Sequence, residues 1–141
     1  MKNKILRLMA LDVGSRRIGV AISDAMGWTA QPITTLERTT LQEDFKKIEA
    51  LLHEYEVDTL VVGYPQGLSQ NITPQTQKVI DFVEKLKKQV TCPIEIWDES
   101  FTTRQAEEVL LEANISRRKR KKAIDKLAAV FILKSYMDSN K

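Results

Sequence analysis

Ile5-Leu6-Arg7-Leu8-Met9-Ala10-Leu11-Asp12-Val13-Gly14-Ser15-Arg16-Arg17-Ile18-Gly19-Val20-Ala21-Ile22-Ser23 is the stretch that decides the fold. Ile5 to Leu11 is an apolar strand-forming run, Gly14 and Ser15 make a turn, and Ile18 to Ser23 is a second apolar, β-branched run. So short a connection predicts a hairpin. Asp12 ends the first run, and an acid there followed at once by glycine has two readings. Either Asp12 satisfies turn amides while Gly14 supplies a positive φ, or the acid holds a cation and Gly14 leaves room for phosphate to approach.

Working outward, a third strand is predicted around Pro32 to Leu36, which extends the hairpin into an antiparallel meander. The period then changes. Leu41, Phe45, Ile48, Leu51 and Leu52 recur at helical spacing behind Thr40, a capping residue, and Thr59 to Val62 follow as a buried strand. Val79, Ile80, Val83 and Leu86 mark a second helix, followed by the strand Ile94 to Trp97. A short helix through Ala106, Val109 and Leu110 leads to a long one from about Arg117 to Met137, capped by Ser116, with Ile124, Leu127, Ala128 and Phe131 toward the core. The order βββαβαβαα predicts an α/β fold: a mixed five-stranded sheet, three strands antiparallel and the later ones parallel, with helices on both faces. A length of 141 residues suits one domain, 1–141, without linker or repeat.

The formal charge of +3 is modest, but Arg117, Arg118, Lys119, Arg120, Lys121 and Lys122 concentrate six cations in one run, and a polyanion is the natural partner. Cys92 is the single cysteine, which excludes an internal disulfide framework and carries no role beyond a half-buried thiol. His53, the single histidine, falls on the polar side of the first helix and gives little support to histidine-based nucleophilic chemistry. Neither a secretory signal nor a membrane span of ~20 residues is present, so the expectation is a cytoplasmic protein with no membrane partner.

Two further acids sit in telling places. In Trp97-Asp98-Glu99-Ser100-Phe101-Thr102-Thr103, adjacent Asp98 and Glu99 point to opposite faces of an extended strand, so only one can serve a given centre, and local sequence leaves the choice open. In the last helix, Asp125, Ala128, Ala129 and Ile132 fall at i, i+3, i+4 and i+7, which puts Asp125 on the edge of an apolar stripe. An exposed Asp125 paired with Lys121 or Lys122 is the alternative. Carboxylates converging where sheet and helix meet repel one another unless cations neutralise them, and oxygen ligands suit Mg²⁺ or Mn²⁺. The segment Val62-Gly63-Tyr64-Pro65-Gln66-Gly67-Leu68-Ser69-Gln70-Asn71 reads as a structured strand-to-helix loop at the same edge.

Asp12-Val13-Gly14 with Arg17-Ile18-Gly19-Val20-Ala21, Val61-Val62-Gly63-Tyr64-Pro65, Asp98-Glu99 with Thr102-Thr103, and Arg118-Lys119 with Asp125-Lys126-Leu127-Ala128-Ala129 together resemble the YqgF-type family of bacterial RNase H-like proteins. The resemblance runs through essentially the whole chain in the correct order. It implies a metal-dependent nuclease, described as maturing the 5′ end of pre-16S rRNA and, by fold analogy, as resolving Holliday junctions. It selects Glu99 over Asp98 and makes Asp12, Glu99 and Asp125 the catalytic acids, holding two Mg²⁺ or Mn²⁺ ions. Gly14, Arg16, Arg17, Arg104, Arg117, Arg118, Lys119 and Lys122 are the candidate substrate-binding residues, for structured RNA or branched DNA. The chain departs from the family pattern at Ser100, where arginine is common, and at Gln70-Asn71, where Asp-Gly is common. Both changes bear on the grip on substrate, and Arg104 is the candidate replacement for the missing arginine.

Three other readings remain. An actin-like ATPase shares the Asp-x-Gly hairpin, but its nucleotide lies between two such domains and this chain has room for one. A catalytically inactive nucleic-acid-binding module would bind without cutting. Junction resolution would need a homodimer with paired sites, whereas RNA cleavage is open to a monomer.

Overall fold

The computed structural model describes residues 7–24, 29–64, 74–98 and 117–139, with side chains from residue 126 onward in the last helix and up to residue 97 in the last strand. The elements are β1 (Leu8–Val13), β2 (Arg17–Ser23), β3 (Ala30–Glu37), α1 (Leu41–Glu54), β4 (Thr59–Tyr64), α2 (Pro74–Leu86), β5 (Ile94–Asp98) and α3 (Arg117–Ser139). They form one five-stranded sheet in the order β3-β2-β1-β4-β5. β1–β2 and β2–β3 pair antiparallel, while β1–β4 and β4–β5 pair parallel, as the meander and the helix–strand alternation predict.

Strand alternation sorts the two faces. Met9, Leu11 and Val13 point toward α1 and α2, where they meet Phe45, Ile48 and Leu52 of α1 and Val79, Phe82, Val83 and Leu86 of α2. Phe45 and Phe82 meet edge to face, with centroids 5.2 Å apart. The opposite face carries Ala10, Ala21 and Val61 against Ala129, Val130, Ile132, Leu133 and Met137 of α3. Small residues on that face let α3 lie close across β1, β2 and β3. Thr40 caps α1, its hydroxyl accepting from the Glu43 N–H at 3.2 Å. Pro32 is accommodated because β3 is an edge strand.

Several boundaries differ from the sequence reading. β1 runs past Leu11 to Val13, because Asp12 pairs with Gly63 and Val13 with Ile18, so the ladder carries Asp12 inside the strand. Gly14 does not adopt a positive φ. Leu41 is exposed because it begins α1 ahead of the buried face, and its place in the core is absent. In α3, Ala128, Ala129, Ile132 and Leu133 are fully buried, while Leu127 and Phe131 are only half-buried, so the core-facing stripe is rotated slightly from the expected one. The short helix predicted around Ala106 and the capping Ser116 lie outside the described residues.

Candidate active site

Asp12 occupies the penultimate position of β1, the central strand. From β1 the chain adds β2 and β3 on one side and β4 and β5 on the other, so the strand order reverses between β1 and β4. Ligands of open α/β sheets bind beyond the carboxyl ends of the strands at such a reversal, and the pair Asp12–Gly63 marks it here. Across the sheet at this level run Thr35, Gly19, Asp12, Gly63 and Trp97. Cross-strand partners share a face, so half-buried Asp12 is flanked on both neighbouring strands by glycine, and the face is the one that α3 covers. Gly63, expected in the strand-to-helix loop, lies instead inside β4, and Gly19, given no role from sequence, lies inside β2; the register brings both beside Asp12.

The turn behind Asp12 is built around space. The Gly14 N–H donates to the Arg17 carbonyl at 2.9 Å, and a Cβ on Gly14 would lie 2.9 Å from that same oxygen. We expect Gly14→Ala to cost about 1–3 kcal/mol in urea unfolding, since the clash is with backbone that cannot swing aside.

Arg38, just beyond β3, braces the turn from the other side. Its Nη1 donates to the Gly14 carbonyl at 2.9 Å and its Nε to Asp44 Oδ2 at 3.1 Å, while its backbone N–H donates to the Arg16 carbonyl at 2.8 Å. Asp44 also accepts from the Thr39 N–H at 3.0 Å, and the guanidinium lies 5.2 Å from the centre of the Phe82 ring. Neither Arg38 nor Asp44 was singled out from sequence, because partners six residues apart across a strand–helix junction follow no local spacing rule.

β5 is fastened to α3 on the same face as Asp12. Trp97 Nε1 donates to Ser135 Oγ at 3.0 Å, the rings of Trp97 and Tyr136 meet edge to face at 5.4 Å, and the Tyr136 hydroxyl donates to Glu95. Asp98 ends β5, paired with Tyr64. Glu99, Ser100, Arg104 and the loop residues Gln66, Ser69, Gln70 and Asn71 lie outside the described residues. Position 125 lies within α3, one turn before the buried Ala128 and Ala129, and Arg117, Arg118, Lys119 and Lys122 fall in its first two turns; their side chains are outside the described set. Among the described residues no three His, Cys, Asp or Glu side chains group as metal ligands. Asp12 is the one predicted ligand whose side chain is described; a hard carboxylate between two glycines suits a divalent cation with a phosphate beside it.

Arg16 is exposed and Arg17 half-buried at the hairpin. His53 and Cys92 lie far from it, on a groove shared with Glu49, Glu56 and Val90 at the amino end of β5. Burial pushes the Cys92 thiol above its ordinary pKa, which disfavours the thiolate. No described helix is long and apolar enough to cross a membrane.

The model of the RuvX family, described as Holliday junction resolvase, matches residues 6–139. This chain belongs to that family. RuvX relatives include a protein of Thermoanaerobacter pseudethanolicus, 51% identical over 137 residues, covering 96% of this chain and 99% of the relative. Another, from Clostridium tetani, is 47% identical over 134 residues, covering 95% and 97%. Both bear the name "putative pre-16S rRNA nuclease". In fold, this RuvX chain resembles the Fowlpox virus resolvase solved with Holliday junction DNA (TM-score 0.58, 16% identity, covering 96% and 99%). It also resembles Thermus thermophilus RuvC solved with a Holliday junction substrate (TM-score 0.58, 13% identity, covering 95% and 97%). The mixed sheet with helices on both faces is therefore the RNase H-like fold of the resolvases.

Proposed function

We propose that this chain is a divalent-metal-dependent nuclease that hydrolyses phosphodiester bonds, and that its substrate is the 5′ end of pre-16S rRNA. The observation that carries the reading is Asp12 at the strand-order reversal, with Gly19 and Gly63 on either side. A phosphodiester and its cations need a carboxylate without bulky side chains on either side of it, and glycine on both neighbouring strands meets that need.

Glu99 and Asp125 complete the acid set. Glu95 and Trp97 lie on the face of Asp12, and the two-residue alternation of a strand is the reason for proposing Glu99, not Asp98, as the acid from this part of the chain. Helical spacing puts position 125 on the stripe of Ala128, Ala129 and Ile132, which faces the sheet. Mg²⁺ or Mn²⁺, two ions in this reading, would supply Lewis acidity and a more acidic water when bound. The protein's own part is to hold three carboxylates in one orientation and to grip substrate. The Arg117 to Lys122 run, with Arg16, Arg17 and Arg104, neutralises backbone phosphates, so affinity falls steeply with salt. In this reading the protein acts on structured RNA in the cytoplasm, as a monomer or a homodimer.

The family description favours a second reading, junction resolution, which requires a homodimer. The test offers a 5′-extended pre-16S rRNA fragment and a four-way DNA junction with Mg²⁺, Mn²⁺ or chelator. Metal-dependent cutting confined to the RNA supports rRNA maturation. Paired, symmetric nicks in the junction would replace it with resolution, and binding without cutting of either would reduce the chain to an inactive binding module.

A further inference from the structure

Beyond the carboxyl end of β1, on the face turned away from α3, Gly14, Ser15, Arg38, Gln75 and Lys78 surround a small depression backed by the core residues Val13 and Val79. Among the described residues that line it, the charged ones, Arg38 and Lys78, are both cations. Arg38 is already oriented there: Nε is held by Asp44 and Nη1 by the Gly14 carbonyl, which leaves Nη2 without a hydrogen bond among the described residues. Such pre-organisation lowers the entropy lost when the last nitrogen takes a ligand. Lys78 is exposed on α2 and forms no ion pair among the described residues. α2 has no acid in its first turn, so nothing there offsets the positive end of the helix.

We infer that this depression is a second anchoring point for the substrate, taking one backbone phosphate of the nucleic-acid strand from Lys78, Arg38 Nη2 and the Ser15 hydroxyl. The phosphate it takes is not the scissile one, since Asp12 faces the other side of the sheet. A strand seated here crosses the rim of the sheet at the β1–β2 turn, so the site sets where along the strand the scissile bond falls. The inference rests on the nuclease reading.

The test measures binding of Asp12→Asn protein to the four-way junction and to the precursor RNA by fluorescence anisotropy, over salt from about 0.05 to 0.3 M. Adding Lys78→Ala is expected to reduce the slope of log affinity against log salt by about 0.7–0.9. It should weaken binding about five- to eightfold near 0.1 M, the contribution of one phosphate contact. Lys85→Ala, an exposed change two helical turns along α2 and outside the depression, should leave the slope unaltered. An unaltered slope in Lys78→Ala, or an equal fall in both variants, overturns the subsite while the nuclease reading stands. Failure of the Asp12→Asn protein to bind either nucleic acid overturns both.

Discussion

Asp12→Asn is expected to slow cleavage by on the order of 10³-fold or more at saturating Mg²⁺, with affinity for nucleic acid held within a few-fold. Asparagine has the shape of aspartate without its charge, so the row Gly19–Asp12–Gly63 keeps its geometry and loses only the anion. Electrostatic stabilisation through a bound cation is worth several kcal/mol, and about 4 kcal/mol corresponds to roughly a thousandfold in rate. No side chain on either adjoining strand can supply the missing oxygen, because both partners are glycine. Single-turnover cleavage with labelled RNA, alongside a Mn²⁺ titration, reads the two effects separately. Weaker Mn²⁺ binding with slow cleavage supports the ligand role. Cleavage within about tenfold of the parent would remove Asp12 from the chemistry, since one such factor is only about 1.4 kcal/mol.

The fold was legible wherever local pattern and tertiary pairing agree. The hairpin, the Thr40 cap and the helix–strand alternation were readable because apolar period and turn chemistry are local signals. The extent of β1 was not. Whether Asp12 ends a strand or lies within it depends on Gly63, some fifty residues away, which supplies the parallel ladder. Gly14 was read correctly as a turn residue, but of the two reasons offered the positive φ does not hold, and what glycine avoids in the turn is a clash with the Arg17 carbonyl. Of the proposed acid set, Asp12 was picked out by its place after an apolar run. Gly19 and Gly63 give it meaning, and they became visible only when the register aligned them. The Arg38–Asp44 brace escaped the sequence reading altogether. Asp44 looks like an ordinary first-turn acid of α1, and only the packing of α1 and α2 onto the sheet shows that it is buried.

That burial sets the second large effect. Asp44 is the one buried charge among the described residues, 2% exposed, and Asp44→Ala is expected to destabilise the protein by about 2–4 kcal/mol. Two donors lose their acceptor at once, the Arg38 guanidinium and the Thr39 N–H, and α1 loses an acid beside its positive end. Removing one member of a fully buried ion pair costs about 3–5 kcal/mol, and the figure here is lower because the Arg38 side chain is 22% exposed and can regain water. Asp44→Asn keeps an acceptor for Thr39 and should lose about half as much. Urea unfolding of Asp44→Ala, Arg38→Met and the double variant completes a cycle. A coupling of about 1 kcal/mol or more identifies the pair as one unit, whereas additive losses would mean that Asp44 serves α1 alone. The consequence reaches the site through Gly14. Once Arg38 lets go of that carbonyl, the turn behind Asp12 is held by its own hairpin bond and by the Arg38 backbone contact to Arg16. Asp44→Ala should therefore lower cleavage at temperatures where the protein is still folded, with Asp12 in place but its turn less firmly fixed.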